Sequence, residues 1–322
     1  MNKMYIILVV VALFLVAGCT NQPIKTDANN GIAISTFVAS PVSARAGELV
    51  LFDLELMNVG GTTAKNVQVA LFGVEDQWRD STGNLLTSTL AKDIGTLKPP
   101  VSDRNIPGDF KMAQWDIMTP NIPQGISPSL GVEAWVSYDY NTSGHLVVKA
   151  IRDDEWRRKN LQGETIANPV EIINSNGPLK LSIPANYQNA IIVDTTTGED
   201  YITQPFRIEF QNVGDGYPIT TEDDNTIRGA GGRLRGTIDL YGPGVEFADC
   251  LGVTSGKHID LDDAQIPVRL RESSGGLLPV ACTIKISKGV WEARTEETFQ
   301  FVFNIFYRYY VKSTAAVTVV GV

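Results

Sequence analysis

Residues 54–61 read LELMNVGG and residues 208–215 read IEFQNVGD, the same phrase written twice, 154 positions apart. Successive side chains of a β-strand point to opposite faces, so the phase of the apolar residues reports a buried side. In the first phrase and its approach, Phe52, Leu54, Leu56 and Asn58 share one phase against Asp53 and Glu55. In the second, Phe206, Ile208, Phe210 and Asn212 oppose Arg207, Glu209 and Gln211. Both read as half-buried strands that stop at Asn-Val-Gly. Gly60 and Gly214 are expected to take positive φ there, which makes the shared ending turn chemistry.

Further phrases repeat downstream. VQVALFG at 67–73 matches TIDLYGPG at 237–244, and VSYDY at 136–140 matches IFYRY at 305–309. Each of the latter caps an alternating strand, with Val132, Ala134, Val136, Tyr138 and Tyr140 in one phase and Phe301, Phe303, Ile305, Tyr307 and Tyr309 in the other. Phe72 to Tyr138 and Tyr241 to Tyr307 are both 66 residues, at an offset of 169. Fifteen residues have therefore entered the second copy between Asn212 and Tyr241, where TTEDDNTIRGAGGRLR stands. At the same offset Ala113, Trp115 and Ile117 fall on Cys282, Ile284 and Ile286. Alternating strands separated by Gly, Pro, Asn and Asp turns make each copy an all-β unit, and its size favours a β-sandwich with Greek-key connections. The closing strand of a sandwich is expected to pair within its own unit, so truncation after Lys312 is expected to unfold the second.

The strand ending in Asn-Val-Gly, followed by Ala-x-x-Val-x-Val, IGTLKPP, PGDFKMAQWDI and the late Val-x-Tyr-x-Tyr strand, resembles the immunoglobulin-like domains of prokaryotic surface proteins, the CARDB-type adhesion-related modules in particular. The second copy departs from it in lacking the tryptophan and the Pro-Gly turn. The resemblance implies an extracellular, non-catalytic module for spacing, adhesion or assembly. Between the copies, IRDDEWRRKNLQGE carries three acid-first i, i+4 pairs, Asp153–Arg157, Asp154–Arg158 and Glu155–Lys159, and reads as a short helical connector. Trp156 either seats it on a neighbouring sandwich or lies half-exposed.

The first residues bear on compartment. Tyr5–Val16 is an unbroken apolar run, too short to span a bilayer comfortably and suited to a signal-peptide core. LVAGC at 15–19 resembles the lipobox of bacterial and archaeal lipoproteins, with Val16 where Leu is commonest. That resemblance implies a diacylglyceryl group on Cys19, whose two acyl chains suffice for stable anchoring; the alternatives are an ordinary cleaved signal and an uncleaved anchor. With Cys19 so reserved, Cys250 and Cys282 remain as a disulfide pair or as two buried thiols. The expected organisation is a signal peptide at 1–18, a polar tether at 19–30, an immunoglobulin-like β-sandwich at 31–151, the connector at 152–176 and a second sandwich at 177–322.

The chain has 322 residues, enough for two such units, and a formal charge of −9, which argues against wrapping nucleic acid. Its two histidines, His145 and His258, lie in different copies, away from ligand-spaced Cys or carboxylates, so no metal site, cofactor or catalytic centre is expected. Glu222, Asp223 and Asp224 form one acidic cluster and Asp260, Asp262 and Asp263 another, of the residue type that calcium uses. Arg228, Arg233 and Arg235 punctuate the glycine-rich RGAGGRLRG at 228–236, which offers backbone N–H groups to an anion. Solvated loop charges and a hairpin tip are the plainer readings of both. Asn141-Thr142-Ser143 is a glycosylation sequon. The chain therefore reads as a non-catalytic surface lipoprotein on the outer side of a membrane, with other envelope or surface proteins as partners. The alternative is an envelope ligand- or calcium-binding protein, less readily an enzyme, that uses the loop at 213–235.

Overall fold

A computed structural model describes residues 27, 29–166, 169–196, 198–219, 232–263, 268–270 and 276–322. The protein is 59% strand and 7% helix, built from antiparallel sheets of which one is curled into a half-barrel. The first half of the chain runs β1 (Ile32–Ser40), β2 (Ser43–Arg45), β3 (Leu49–Asn58), β4 (Ala64–Phe72), β5 (Arg79–Asp80), β6 (Leu90–Leu97), β7 (Phe110–Met118) and β8 (Ser129–Arg152), and then the helix α1 (Asp153–Leu161). The second continues with β9 (Val170–Asn174), β10 (Leu179–Ser182), β11 (Ile191–Val193), β12 (Tyr201–Asn212), β13 (Tyr217–Ile219), β14 (Gly232–Arg233), β15 (Arg235–Tyr241), β16 (Val245–Cys250), β17 (His258–Asp260), β18 (Arg269–Leu270) and β19 (Leu277–Ser287). A short helix α2 (Lys288–Trp291) precedes the last strand, β20 (Glu296–Val320).

Each repeat contributes one four-stranded sheet, in the order β1-β3-β7-β5 and β10-β12-β19-β16. The repeated phrases end the second strand of each. Alternation explains the burial: Val50, Phe52, Leu54, Leu56 and Asn58 of β3 are fully buried, as are Phe206, Ile208 and Phe210 of β12. The second layer is common property. A ten-stranded sheet runs β17-β15-β20-β8-β4-β6, with β2 and β13 added on β20 and β9 and β11 on β8. Both four-stranded sheets pack on one face of it; Phe206 stacks on Phe301 with ring centroids 4.7 Å apart.

The spine of this sheet is the pairing of β8 with β20, antiparallel from Glu296↔Ile151 to Thr318↔Ser129. Strands of 24 and 25 residues are several times the usual length. Their apolar phase resumes past the tyrosines after short breaks at Thr142, Gly144 and Ser313: Leu146, Val148 and Ala150 continue the buried phase of β8, and Val311, Ala315, Val317 and Val319 continue that of β20. One end of each strand therefore serves its own repeat and the other end serves the other repeat.

This corrects the expectation for the C-terminus, which pairs in the first repeat. Thr318 N–H donates to Val42 O at 3.0 Å and Ala46 N–H to Val320 O at 2.9 Å, while Val319 and Gly321 N–H reach Pro128 O and Ile126 O. Parallel pairing of β2 with β20 over Ser43↔Thr318 to Arg45↔Val320 completes the attachment. The second repeat reciprocates, since β11 pairs in parallel with the far end of β8 from Ile191↔Ala150 to Val193↔Arg152. A strand too long for one unit must project into whatever lies beyond it, and here that is the opposite repeat.

The connector is helical over Asp153–Leu161, but only one of its three expected ion pairs forms, Arg157 Nε to Asp153 Oδ2 at 2.9 Å. Asp154 is drawn to Arg152, Glu155 to Arg158, and Lys159 reaches Glu296 at the start of β20, each at 2.6 Å. Arg152 also donates to the carbonyls of Glu292 and Arg294. Lys159 and Arg152 thus tie the connector to the second repeat, while Asp154 and Glu155 find other local partners. Trp156 is half-buried.

Candidate functional site

The two Asn-Val-Gly phrases lie near the middle of the β8–β20 pairing, around a ring of four tyrosines. Tyr138 lies 5.8 Å from Tyr140 and 5.9 Å from Tyr309, and Tyr307 lies 6.2 Å from both Tyr140 and Tyr309. Three of the hydroxyls accept backbone N–H groups at or just before strand starts. Ile32 N–H, at the start of β1, donates to Tyr138 Oη at 3.2 Å, and Thr62 N–H donates to Tyr140 Oη at 3.1 Å. In the second repeat Gly216 N–H donates to Tyr309 Oη at 3.0 Å. Tyr307 shares a hydrogen bond of 2.8 Å with Thr142 Oγ1, across the repeats.

The asparagines complete the junction. Asn58 Nδ2 donates to Thr62 O and Leu97 O, and Gly60 N–H donates to Asn58 Oδ1. Asn212 Nδ2 donates to Gly216 O, and Tyr309 Oη donates to Asn212 Oδ1 at 2.8 Å. The glycines serve a purpose other than the one expected: neither Gly60 nor Gly214 has positive φ. A Cβ at Gly60 would stand 2.1 Å from Tyr140 Oη, and one at Gly214 would stand 2.8 Å from Tyr309 Oη. Only a residue without a side chain lets the hydroxyls in. Burial is the main cause that pushes the phenols of Tyr138, Tyr307 and Tyr309 above the ordinary range, because a tyrosinate there would be stripped of water.

Other residues singled out by sequence fall elsewhere. Cys250 and Cys282 are bridged across the neighbouring strands β16 and β19, where they pair directly. Closing a loop over a separation of 32 residues is worth about 3–4 kcal/mol. Reduction, or Cys250→Ser with Cys282→Ser, is expected to lower the unfolding free energy by that amount, read from denaturant titrations with and without reductant. Equal midpoints would show the bridge to be energetically idle.

Glu222, Asp223, Asp224, Arg228 and Cys19 lie outside the described residues. Arg233 and Arg235 turn toward the second acidic cluster: Arg233 Nη2 donates to Asp262 O at 2.7 Å, and Arg235 Nε lies 3.6 Å from Asp262 Oδ1. Asp262 N–H in turn donates to Asp260 Oδ1 at 2.8 Å. Arg235 thus faces a carboxylate of the same protein, an exposed pairing of small energetic weight, while Arg233 is held by the Asp262 backbone carbonyl. Asn141 sits mid-strand in β8, its Nδ2 3.4 Å from Asn304 Oδ1. His258 Nδ1 lies 2.7 Å from Asp239 Oδ1. Sequence reasoning missed that contact because the two are separated in the chain and meet only through the β15–β17 ladder. Among the described residues, no three His, Cys, Asp or Glu side chains are grouped to hold a metal ion.

One open cleft of about 360 Å³ lies beside β16 and β19, lined by Asp200, Tyr201, Glu246, Lys257, Lys285 and Ser287. Its charges are matched internally. Lys285 Nζ is 3.3 Å from Glu246 Oε1 and 4.4 Å from the Tyr201 ring centroid, and Lys257 Nζ donates to Gly242 O.

No family model matches the chain, and no curated protein matches it. Among solved structures it has a distant likeness to the alkylpurine DNA glycosylase AlkC of Pseudomonas fluorescens, solved bound to DNA containing an abasic site analog. That match is 15% identical with a TM-score of 0.22, over 35% of this chain and 28% of the other. A second likeness, to the C-terminal domain of Wzt, is 12% identical with a TM-score of 0.21, over 34% of this chain and 61% of that one. The chain thus spans less than two thirds of either.

Proposed function

We propose that the protein is a lipid-anchored envelope protein whose body, two immunoglobulin-like β-sandwiches in tandem joined by a short helical connector, serves a structural, adhesive or assembly role outside the membrane without catalysis. The Cys250–Cys282 bridge carries the reading, since it consumes the two cysteines left after Cys19 and suits an oxidising compartment. The LVAGC stretch supports attachment through Cys19. The resemblance to CARDB-type modules supports partners among envelope or surface proteins, and the matched charges of the open cleft suit protein contact better than turnover of a small substrate.

The test is metabolic labelling with a fatty acid in a host that processes lipoproteins. The wild-type chain is expected to carry label, fractionate with membranes and be cut by protease added to intact cells. Cys19→Ser is expected to lose both label and membrane attachment. Label that survives the substitution, or wild-type protein in the cytosolic fraction, would overturn the reading. A pull-down from intact envelopes then identifies the partner.

A further inference from the structure

The two repeats are related as the subunits of a symmetric dimer. The shared sheet reads β17-β15-β20-β8-β4-β6, and exchanging β6 with β17, β4 with β15 and β8 with β20 returns the same order reversed. Residue pairing obeys the same rule. Tyr138 faces Tyr309 and Tyr140 faces Tyr307, and replacing each tyrosine by its counterpart 169 positions away turns one pair into the other. One pair alone maps onto itself, Asp139↔Arg308, because those two positions are themselves counterparts. They lie on the twofold relation. In an isologous interface, an on-axis residue meets its own copy. A first repeat paired with another first repeat would set Asp139 against Asp139, and two second repeats would set Arg308 against Arg308. Like charges directly opposite in a sheet are destabilising.

The unlike pairing instead satisfies both. Arg308 Nη1 lies 3.1 Å from Asp139 Oδ1, and the arginine side chain is only 11% exposed. Its Nη2 donates to Gln68 Oε1 and Ser137 Oγ, both at 2.9 Å, and Asn66 Nδ2 donates to Asp139 Oδ2 at 2.6 Å. Arg308 of the second repeat is thus received by Asp139, Gln68 and Ser137 of the first. The interface it guards is capable of the wrong match, since apolar alternation, tyrosine spacing and turn phrases are shared by the repeats and discriminate poorly between them.

From this we infer that the chain is a covalently joined dimer of one fold unit, and that Asp139–Arg308 selects pairing of unlike repeats, keeping each from docking on its like in a second copy of the chain. The test refolds the oxidised full-length chain from denaturant, in mild detergent at one high protein concentration, and measures the closed monomer fraction by sedimentation. D139R and R308D leave like charges at the axis and are each expected to cut the closed fraction about tenfold relative to wild type, whether the loss goes to aggregate or to unfolded chain. D139R/R308D restores an opposite pair and is expected to recover most of the wild-type yield. D139N/R308Q removes repulsion without restoring selection and is expected to give severalfold more intermolecular species than wild type. A double exchange as defective as the single variants would overturn the inference. So would a neutral pair that refolds to monomer as completely as wild type.

Discussion

Deleting residues 313–322 is expected to unfold the first repeat's end of the molecule and to leave the β10-β12-β19-β16 sheet protected. The deleted segment holds Val317 and Val319, both fully buried, and Ala315, at 8% exposure. At about 1.5–3 kcal/mol for each buried valine, with the alanine and the lost ladder added, the deletion removes about 5 kcal/mol or more. That is a large share of a typical domain stability of about 5–15 kcal/mol. The loss is local because the partners are local: β2, the Val42 carbonyl and the segment around Ile126–Ser129 all belong to the first repeat. Hydrogen exchange checks it. Fast exchange over 32–46 and 129–134 with slow exchange retained over 201–212 and 277–287 is the expected pattern. The reverse pattern would mean that the C-terminal strand serves the second repeat.

Alkali is expected to denature the protein steeply. Burial raises the Tyr138, Tyr307 and Tyr309 phenols in the folded state, whereas in the unfolded chain they ionise near their ordinary value of about 10. Below that value both states keep the protons and stability does not change. Above it the unfolded state binds fewer protons, so stability falls as pH rises toward the folded values. Each tyrosine contributes about 1.4 kcal/mol per pH unit, and the three together about 4 kcal/mol per unit. Unfolding is then expected about one to four units above pH 10, given ordinary domain stability of about 5–15 kcal/mol. In a spectrophotometric titration Tyr138, Tyr307 and Tyr309 should ionise together, in one step with loss of the β-sheet circular dichroism. Tyr138→Phe is expected to shed about a third of the slope while costing about 1–2 kcal/mol at neutral pH, from the unpaired Ile32 N–H. Ionisation of all tyrosines with the sheet signal intact would refute the account.

Local pattern carried a good deal of the architecture. The alternation in 52–58 and 206–212 marked strands that the structure places second in two sheets of identical order. The tyrosine strands, the helix in the connector and the cysteine pairing were legible for the same reason: each depends on residues whose period or count is visible in one dimension. Even the length of the long strands is written in Leu146, Val148 and Ala150 and in Ala315, Val317 and Val319, but alternation does not say where one sandwich ends. The glycines of the repeated phrase were read as turn residues, because the tyrosine hydroxyls that require their bareness come from elsewhere in the chain. The Arg233–Asp262 and His258–Asp239 contacts stayed invisible for the same cause.

What the amino-acid order determined by itself was the β character, the duplication and the inward phase of each strand, because backbone geometry turns side-chain period directly into faces. What only the tertiary structure decided was the partner of each surplus strand end, and with it the facing of Asp139 and Arg308. Apolar alternation states that a strand must be covered and not by whom; the answer comes from the packing of the layers, in which the edge that received each surplus end belonged to the other repeat.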